Sequence, residues 1–505
     1  MSLPSLVDAL ARDGVRLWVE DGRVRFAGPT AALTPDRRQA LADRRDELVA
    51  LLSAADRPQT RYPATPWQLG LYLLEQQRAG GDDPYQEGVT VAVSDRVDLA
   101  RLAPTATALA LRHPILRGAF DWTPDGLALS IDAPIRPWVR VVEIADEAAS
   151  TLGAALRTAR PPALDPLFWI VVLRGPDRDL LHVGGHHLAV DAASLLALCP
   201  QAVALLRGAP PDAPQDMRYL RWLTELAVPA TDPAWVDEVR AADPALALPR
   251  ADVPTRTDLP VELGGPAFDR ISAAARMLGC TRFQLVLAGW AAILHRFTGQ
   301  EAVVIASPRT LRTDAALDGM VGYAVDTVPQ VIAVQPSSTL RALAAQVRAR
   351  SDLAATSPHR PLGDVVGRTE AVLAYQNLPG FKRLSATSRA GSTARPRFAG
   401  GPTGLIARVG VDSVDSVDSV ELELVHVPAA AAKFPLELHL YELSDGIAGH
   451  LSLSGAFAPW LAARLVEALD RLAATLDATL DAPIDRHPAL RAPPPAPRSA
   501  TCAAP

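Results

Sequence analysis

The feature that most limits what this chain can fold into is a strand-to-helix step built on two glycines and two histidines. Residues 180–183 form an apolar, β-prone run that enters Gly184-Gly185-His186-His187-Leu188-Ala189-Val190-Asp191-Ala192, and a helical pattern follows over 192–206. The surrounding sequence agrees with an α/β arrangement. Strand-like runs occur at 88–93, 169–173 and 302–306, and helical runs at 99–112 and 271–295. The chain has 505 residues, 49% of them hydrophobic and 21% charged, so two or three domains with large cores are expected.

The first 56 residues read as a small unit of their own. Leu3, Leu6, Val7 and Leu10 have helical spacing, and Gly14 stops that helix. Two short β-prone runs, 15–19 and 23–26, are joined across Glu20-Asp21-Gly22, and Asp-Gly in that position signals a hairpin. Thr34-Pro35 supplies an N-cap and a first-turn proline for a helix striped by Leu41, Leu48, Leu51 and Leu52. The plan is helix–hairpin–helix. It fits either an extension of the main fold or a docking module, because a short hairpin leaves an edge that can accept an extended peptide. Arg16, Arg23 and Arg25 surround that edge. Further on, 240–260 looks like an irregular crossover and 381–403 like a mobile loop. The Val-Asp-Ser repeat over 411–420 suits a surface turn or strand end, and the residues from 482 onward read as a disordered proline-rich tail.

Several classes are disfavoured at once. A net charge of −6 argues against general nucleic-acid binding. The three cysteines, Cys199, Cys280 and Cys502, fit neither a disulfide framework nor a zinc cluster. The N-terminus lacks a secretory pattern, and no apolar run reaches the ~18 residues of a membrane span. A cytoplasmic protein that engages neither membrane nor nucleic acid is therefore expected.

Adjacent histidines at the end of a strand place an imidazole on a rigid scaffold, and its titration near 6.5 suits proton transfer. Asp191, four residues after His187, can order the loop through an ion pair. From spacing alone, acid–base chemistry, purely structural histidines and a metal site all remain open. The metal reading lacks the i,i+4 histidine pair or extra ligands such sites usually show.

His186-His187-Leu188-Ala189-Val190-Asp191 resembles the HHxxxD(G) signature of the condensation domains of nonribosomal peptide synthetases. Other segments resemble that family in its order: Thr65 to Tyr72, Arg112 to Phe120, Phe283 to Gln300, Ser307 to Arg312, Val321 to Thr327, His359 to Leu362, and Tyr375-Gln376-Asn377. The resemblance runs over about 64–480. Residues 1–56 are similar to the β-hairpin docking domains of such assembly-line proteins.

The resemblance implies an α/β (α+β) fold: two chloramphenicol-acetyltransferase-like lobes in a V, at 64–240 and 255–481, after a docking domain at 1–56 and before a tail at 482–505. It implies transfer of an acyl group from a phosphopantetheine thioester to an amine or hydroxyl, with no metal and no intrinsic cofactor. His187 would be the catalytic base, facing a tunnel open at both ends. His186 would support it, and Asp191 would pair with Arg312 across the lobe boundary. Backbone N–H groups from Ala192 onward would support the oxyanion. An upstream acyl or peptidyl carrier protein would dock its C-terminal tail near Arg16, Arg23 and Arg25. The acceptor would be carrier-bound or a free small molecule in a chain-release step. The enzyme is read as stand-alone and monomeric. The sequence departs from the family pattern at Ala192 (glycine elsewhere), Asp326 (asparagine) and Trp169 (arginine). An epimerisation-type domain and a non-catalytic platform for recruiting carriers are the alternatives.

Overall fold

The structure is a computed structural model. It describes 60–356, 369–377 and 419–490 apart from short stretches at 79–81, 94, 133–134, 162–163, 212–213, 227–232, 252–255, 426, 428–430, 444–445 and 456. It also describes the backbone of 407–412 and, before residue 51, positions 6–7, 9–10, 13, 15–20, 23–45 and 47–49. The His359–Leu362 segment and the 381–403 loop of the sequence reading lie outside the described residues. The chain is mixed α/β and separates into two compact units. One comprises Met1–Leu226, Arg312–Ala324 and Asp412–Leu422; the other comprises Ala227–Leu311, Val325–Val411 and Glu423–Pro505.

At the start of the first unit a two-stranded ribbon pairs Arg16–Glu20 with Arg23–Ala27, register Glu20↔Arg23. Asp21 and Gly22, the expected turn, are outside the described residues. Leu6, Leu10, Val15 and Leu33 form a small core there, with Leu17, Ala40 and Leu41 packed around it. Thr34 caps the helix Pro35–Asp43 by accepting from Arg37 N at 3.4 Å, with Pro35 in the first turn.

The rest of this unit is organised by an antiparallel core of strands. Asp179–His186 is paired on one side with Gln86–Ala92 and on the other with Phe168–Arg174, which runs parallel to Trp138–Glu143. Every residue of Asp179–His186 is buried. The strand continues through both glycines to His186, three residues beyond the apolar run. The glycines are required by packing. A Cβ on Gly184 would lie 2.2 Å from the Trp169 indole nitrogen, and one on Gly185 would lie 2.6 Å from Val190 and 2.9 Å from Leu167 O.

The second unit holds a six-stranded sheet in the order Thr257–Gly264, Gly446–Leu453, Leu436–Glu442, Ala371–Gln376, Ala302–Thr310, Val325–Ala333. Helices Pro266–Leu278, Arg282–Thr298 and Trp460–Thr479 bury Trp290, Leu438, Leu451 and Leu465 in its core. The run read as one helix over 271–295 is two helices bent by 101°. Gly279 ends the first in a left-handed conformation (φ 63°), and Thr281 with Gln284 opens the second through a reciprocal capping box. The crossover expected to reach 260 gives way to the strand Thr257–Gly264, whose Pro260 is tolerated because the strand is at the sheet edge. The Val-Asp-Ser repeat begins in Ala407–Asp412 and ends in Ser419–Val425, with 413–418 outside the described residues. Among the described residues, no single helix is long and apolar enough to cross a membrane.

The tail also differs from the expectation that it is disordered from 482. Residues 482–490 pack onto the second unit. Ile484, Ala489 and Leu490 are buried, Ile484 N donates to Ser338 O, and Arg296 Nε donates to Leu490 O at 2.8 Å. Proline richness masked three apolar side chains at usable spacing. Residues 491–505 are outside the described residues. Ile484→Ala should therefore destabilise the protein by about 2–5 kcal/mol in urea unfolding; a change below about 0.5 kcal/mol would show the segment adds nothing to the core.

Candidate active site

The step from strand to helix is closed by its own backbone. His186 N donates to Leu167 O, and both Ala189 N and Val190 N donate to His186 O. Leu188, Ala189 and Val190 are fully buried, so the turn is anchored by apolar side chains. Asp191 is extended (φ −127°, ψ −179°) and caps Ala192–Leu206 by accepting from Ser194 N at 2.9 Å. Ala192 is the first helical residue, a position any L-residue adopts. An alanine where the family has glycine is thus accommodated without strain.

Asp191 is also the centre of a buried polar clamp. Arg312 donates Nη1 to Asp191 Oδ2 at 2.7 Å and Nη2 to Oδ1 at 3.1 Å. The same Nη2 reaches Gly322 O at 2.7 Å and Met320 O at 3.0 Å. Ala324 N donates to Asp191 Oδ2 at 3.0 Å, and Ser194 Oγ donates to Oδ1 at 2.8 Å. The side chains of Arg312 and Asp191 are 6% and 1% exposed. Burial alone would push the Asp191 carboxyl up; Arg312 and the backbone donors outweigh it and hold it below the usual carboxylate range. Arg312–Ala324 belongs to the first unit, so this pair lies within one unit instead of crossing a lobe boundary.

A second buried network supports the turn from the other side. Gln68 completes a capping box with Thr65 and donates Nε2 to Leu188 O at 2.8 Å and to the Tyr219 hydroxyl at 3.0 Å. The Tyr219 hydroxyl in turn donates to Tyr323 O at 3.1 Å. Four stretches distant in sequence thus converge on six residues of loop.

The three histidines of this region are in different states because their surroundings differ. His182 is buried beside Thr90 Oγ1 (3.0 Å), and burial, with Arg160 nearby, pushes its pKa down to about 3. His186 accepts Leu188 N at Nδ1 (3.0 Å), which leaves its proton on Nε2, 3.3 Å from Asp83 Oδ2. Burial raises the Asp83 carboxyl, but His186, Tyr85 N–H and Arg78 bring it below the usual range. Among the described residues, Glu75, Asp83 and His186 are the one set close enough to hold a metal, and Glu75 is already bound by both ends of Arg78 at 2.6 and 2.8 Å.

His187 is the part-exposed member, with 14% of its side chain accessible. Its N–H donates to Tyr85 O, and its Nδ1 lies 2.9 Å from Val190 O. A carbonyl oxygen only accepts, so Nδ1 carries a proton. Nε2 lies 3.1 Å from Glu87 Oε1, and the ring sits near Tyr85 and Tyr323.

The other expected residues are placed as follows. Arg25 is exposed on the second ribbon strand; the side chains of Arg16 and Arg23 are outside the described residues, although the register sets Arg16 opposite Ala27 and Arg23 opposite Glu20. Trp169 is fully buried over Gly184, its indole nitrogen without a hydrogen-bond partner. Asp326 is buried and accepts from Arg309, its direct cross-strand partner, at 3.2 Å. Cys199 is buried, with its thiol pushed up to about 12 by burial, so it is inert at neutral pH. The sequence reading missed Asp83, Glu87 and Tyr219, and took Gln68 only as part of a resemblance. The Thr65–Gln68 capping-box spacing was the visible clue.

Residues 58–383 match the condensation-domain family, and 4–53 match the TubC N-terminal docking domain. The chain is 25% identical over 356 residues to bacitracin synthase 2 of Bacillus licheniformis, covering 65% of this chain and 14% of that protein. It is 28% identical over 398 residues to the phosphinothricin tripeptide synthetase PhsC of Streptomyces viridochromogenes, covering 69% and 35%. Among solved structures, a four-domain nonribosomal peptide synthetase bound to AMP and glycine matches with TM-score 0.66 and 18% identity, covering 84% of this chain and 33% of that one. A structure described as the basis for condensation domain-mediated chain release from the enacyloxin polyketide synthase matches with TM-score 0.55 and 22% identity, covering 95% and 96%.

The clamp makes a direct stability prediction. Arg312→Met leaves a buried carboxylate without its counter-ion and should cost about 3–5 kcal/mol in urea unfolding. Because the folded-state Asp191 pKa is depressed, this contribution should be complete above about pH 4 and fall away as acid protonates the folded carboxylate. Asp191→Asn should remove that acid dependence.

Proposed function

Because the chain belongs to the condensation-domain family of acyltransferases and begins with a docking domain of the TubC type, we propose that it moves an acyl group from a carrier-bound phosphopantetheine thioester onto an amine or hydroxyl acceptor, with His187 as the base. The observation that carries this reading is the anchoring of His187 Nδ1 on Val190 O, which leaves Nε2 as the working nitrogen.

In this reading the acceptor X–H donates its hydrogen bond to Nε2 and attacks the thioester carbonyl, while its proton passes to Nε2. The carbonyl oxygen becomes an oxyanion beside the first-turn N–H groups of Ala192 and Ala193, which have no intrahelical acceptor. Collapse breaks the C–S bond and forms the ester or amide. The departing thiolate takes the proton back from Nε2, so the base returns to its starting state. Asp191, Arg312 and Gln68 touch no reacting atom; they hold the turn that aims the ring.

The finer form of the proposal is release of a finished chain onto a small-molecule acceptor. It is supported by likeness along nearly the whole of both chains to the enacyloxin chain-release structure. The donor carrier would be captured by its C-terminal tail lying along the ribbon edge. Arg25 and Phe26 are both exposed there, which favours a tail of mixed acidic and apolar character. Tethering of this kind raises the local carrier concentration to roughly millimolar.

His187→Ala should slow single-turnover acyl transfer by ~10²–10⁴ at saturating donor without unfolding the protein; a loss under threefold would remove His187 from the mechanism. Exchanging Arg16, Arg23 and Arg25 together for glutamate should raise the apparent KM for the partner carrier by about tenfold or more, leaving kcat unchanged. An unchanged KM would contradict tail capture on this edge.

A further inference from the structure

We propose that Tyr219 is a positioning residue for acyl transfer: its buried hydroxyl ties the turn that carries His187 to the segment that carries Tyr323, and so fixes the two rings against each other. The inference rests on the reading of His187 as the base. Tyr219 lies on the helix Arg218–Glu225 and is buried. Gln68 Nε2 donates to its hydroxyl at 3.0 Å, and the hydroxyl donates to Tyr323 O at 3.1 Å. The same Gln68 nitrogen donates to Leu188 O at 2.8 Å, one residue after His187. One phenol oxygen, accepting once and donating once, therefore stands between the turn and the backbone of Tyr323. Tyr219 and residues 312–324 belong to the same compact unit as the His187 turn.

The ring of Tyr219 contributes as well as its oxygen. A Cβ on Gly322 would come within 1.9 Å of Tyr219 Cδ2, so glycine at 322 is what lets the segment close on this ring. Trp222 stacks on Tyr219 with ring centroids 5.6 Å apart, and the neighbouring Arg218 reaches the same segment further back, donating Nη1 to Asp318 O at 2.7 Å. On either side of Tyr323 the backbone is held by the motif helix and its clamp. Gly322 N donates to Ser194 Oγ at 3.0 Å, Arg312 holds Gly322 O, and Ala324 N donates to Asp191. Tyr219 supplies the donor at Tyr323 O in the middle of that run. The Tyr323 ring then stands 5.7 Å from the His187 ring, at 58° to it. Loss of the hydroxyl would take that donor from Tyr323 O and the acceptor from one Gln68 N–H, and the segment would move to recover them. Proton transfer at a fixed imidazole is sensitive to such movement, since a misplacement of about 1 Å costs about 10²-fold in rate. Tyr219 touches no reacting atom; it acts through Tyr323 and Leu188, the two neighbours of the base.

The first readout needs no substrate. Nuclear magnetic resonance of the full chain, isotopically labelled at its histidine rings, gives a His187 ring signal identified by its loss in His187→Ala. Tyr219→Phe keeps the ring over Gly322 and removes only the oxygen. Gln68→Met keeps the side-chain length and removes the amide that meets that oxygen. In both variants the His187 signal should move or broaden while that of His439, in the second unit, stays in place and urea unfolding remains cooperative. Single-turnover acyl transfer by Tyr219→Phe should fall about 10- to 100-fold with the half-saturating donor concentration unchanged. Combining the two substitutions should slow transfer no further than Gln68→Met alone, because both cut one connection. A His187 signal that coincides with the parent's in both variants, or a Tyr219→Phe protein that transfers at the parental rate, would overturn the inference. His187→Ala is read in parallel. If its transfer rate is near that of the parent, the assignment of the base itself fails; if it is slow while Tyr219→Phe keeps the parental rate and signal, only the role given to Tyr219 fails.

Discussion

The site depends on one buried ion pair. Arg312 and Asp191 are both removed from water, and each would be costly alone. Together, with Ser194, Gly322, Met320 and Ala324 completing their hydrogen bonds, they fix the start of the motif helix. The turn that presents His187 is spanned between that helix start and the end of a fully buried strand. A loop held at both ends in this way cannot relax by a small shift. The angle of a single imidazole is therefore inherited from a carboxylate four residues away.

Position alone separates the histidines. His182 is sunk in the sheet, where the charged form is penalised and the ring stays neutral. His186 accepts from Leu188 N–H at Nδ1, and its Nε2 lies buried 3.3 Å from Asp83. His187 alone keeps a nitrogen that faces a part-exposed partner. The same chemical group thus meets three different surroundings within six residues. Period-two alternation along a strand explains the first two, which share a sheet face, and the turn explains the third.

Much of this was legible in the sequence for local reasons. The strand, the turn and the helix follow from the apolar runs on either side of the glycines and histidines, and the N-terminal hairpin follows from Asp21-Gly22 between β-prone runs. Gly279 and the Thr281–Gln284 spacing could have shown the break in the long helix, but its continuous apolar pattern concealed it. Ile484 and Leu490 were hidden by neighbouring prolines. Glu87, Asp83 and Tyr219 could not be found this way. Their roles come from strand register and from contacts between segments far apart in sequence, and nothing in the local residue pattern encodes them. The two glycines of the motif were visible, yet their cause was not, because Trp169 and Val190 approach them only in the folded sheet.

The central claim is that this chain moves an acyl group from a carrier-bound thioester onto an acceptor. Intact-protein mass spectrometry of an acyl-loaded carrier, incubated with the protein and a panel of amines and alcohols, addresses it directly. The account predicts that the acyl mass leaves the carrier only when both protein and a suitable acceptor are present, and reappears on the acceptor. An acyl-carrier that binds the protein yet stays loaded with every acceptor would contradict it and leave a recruiting platform in its place.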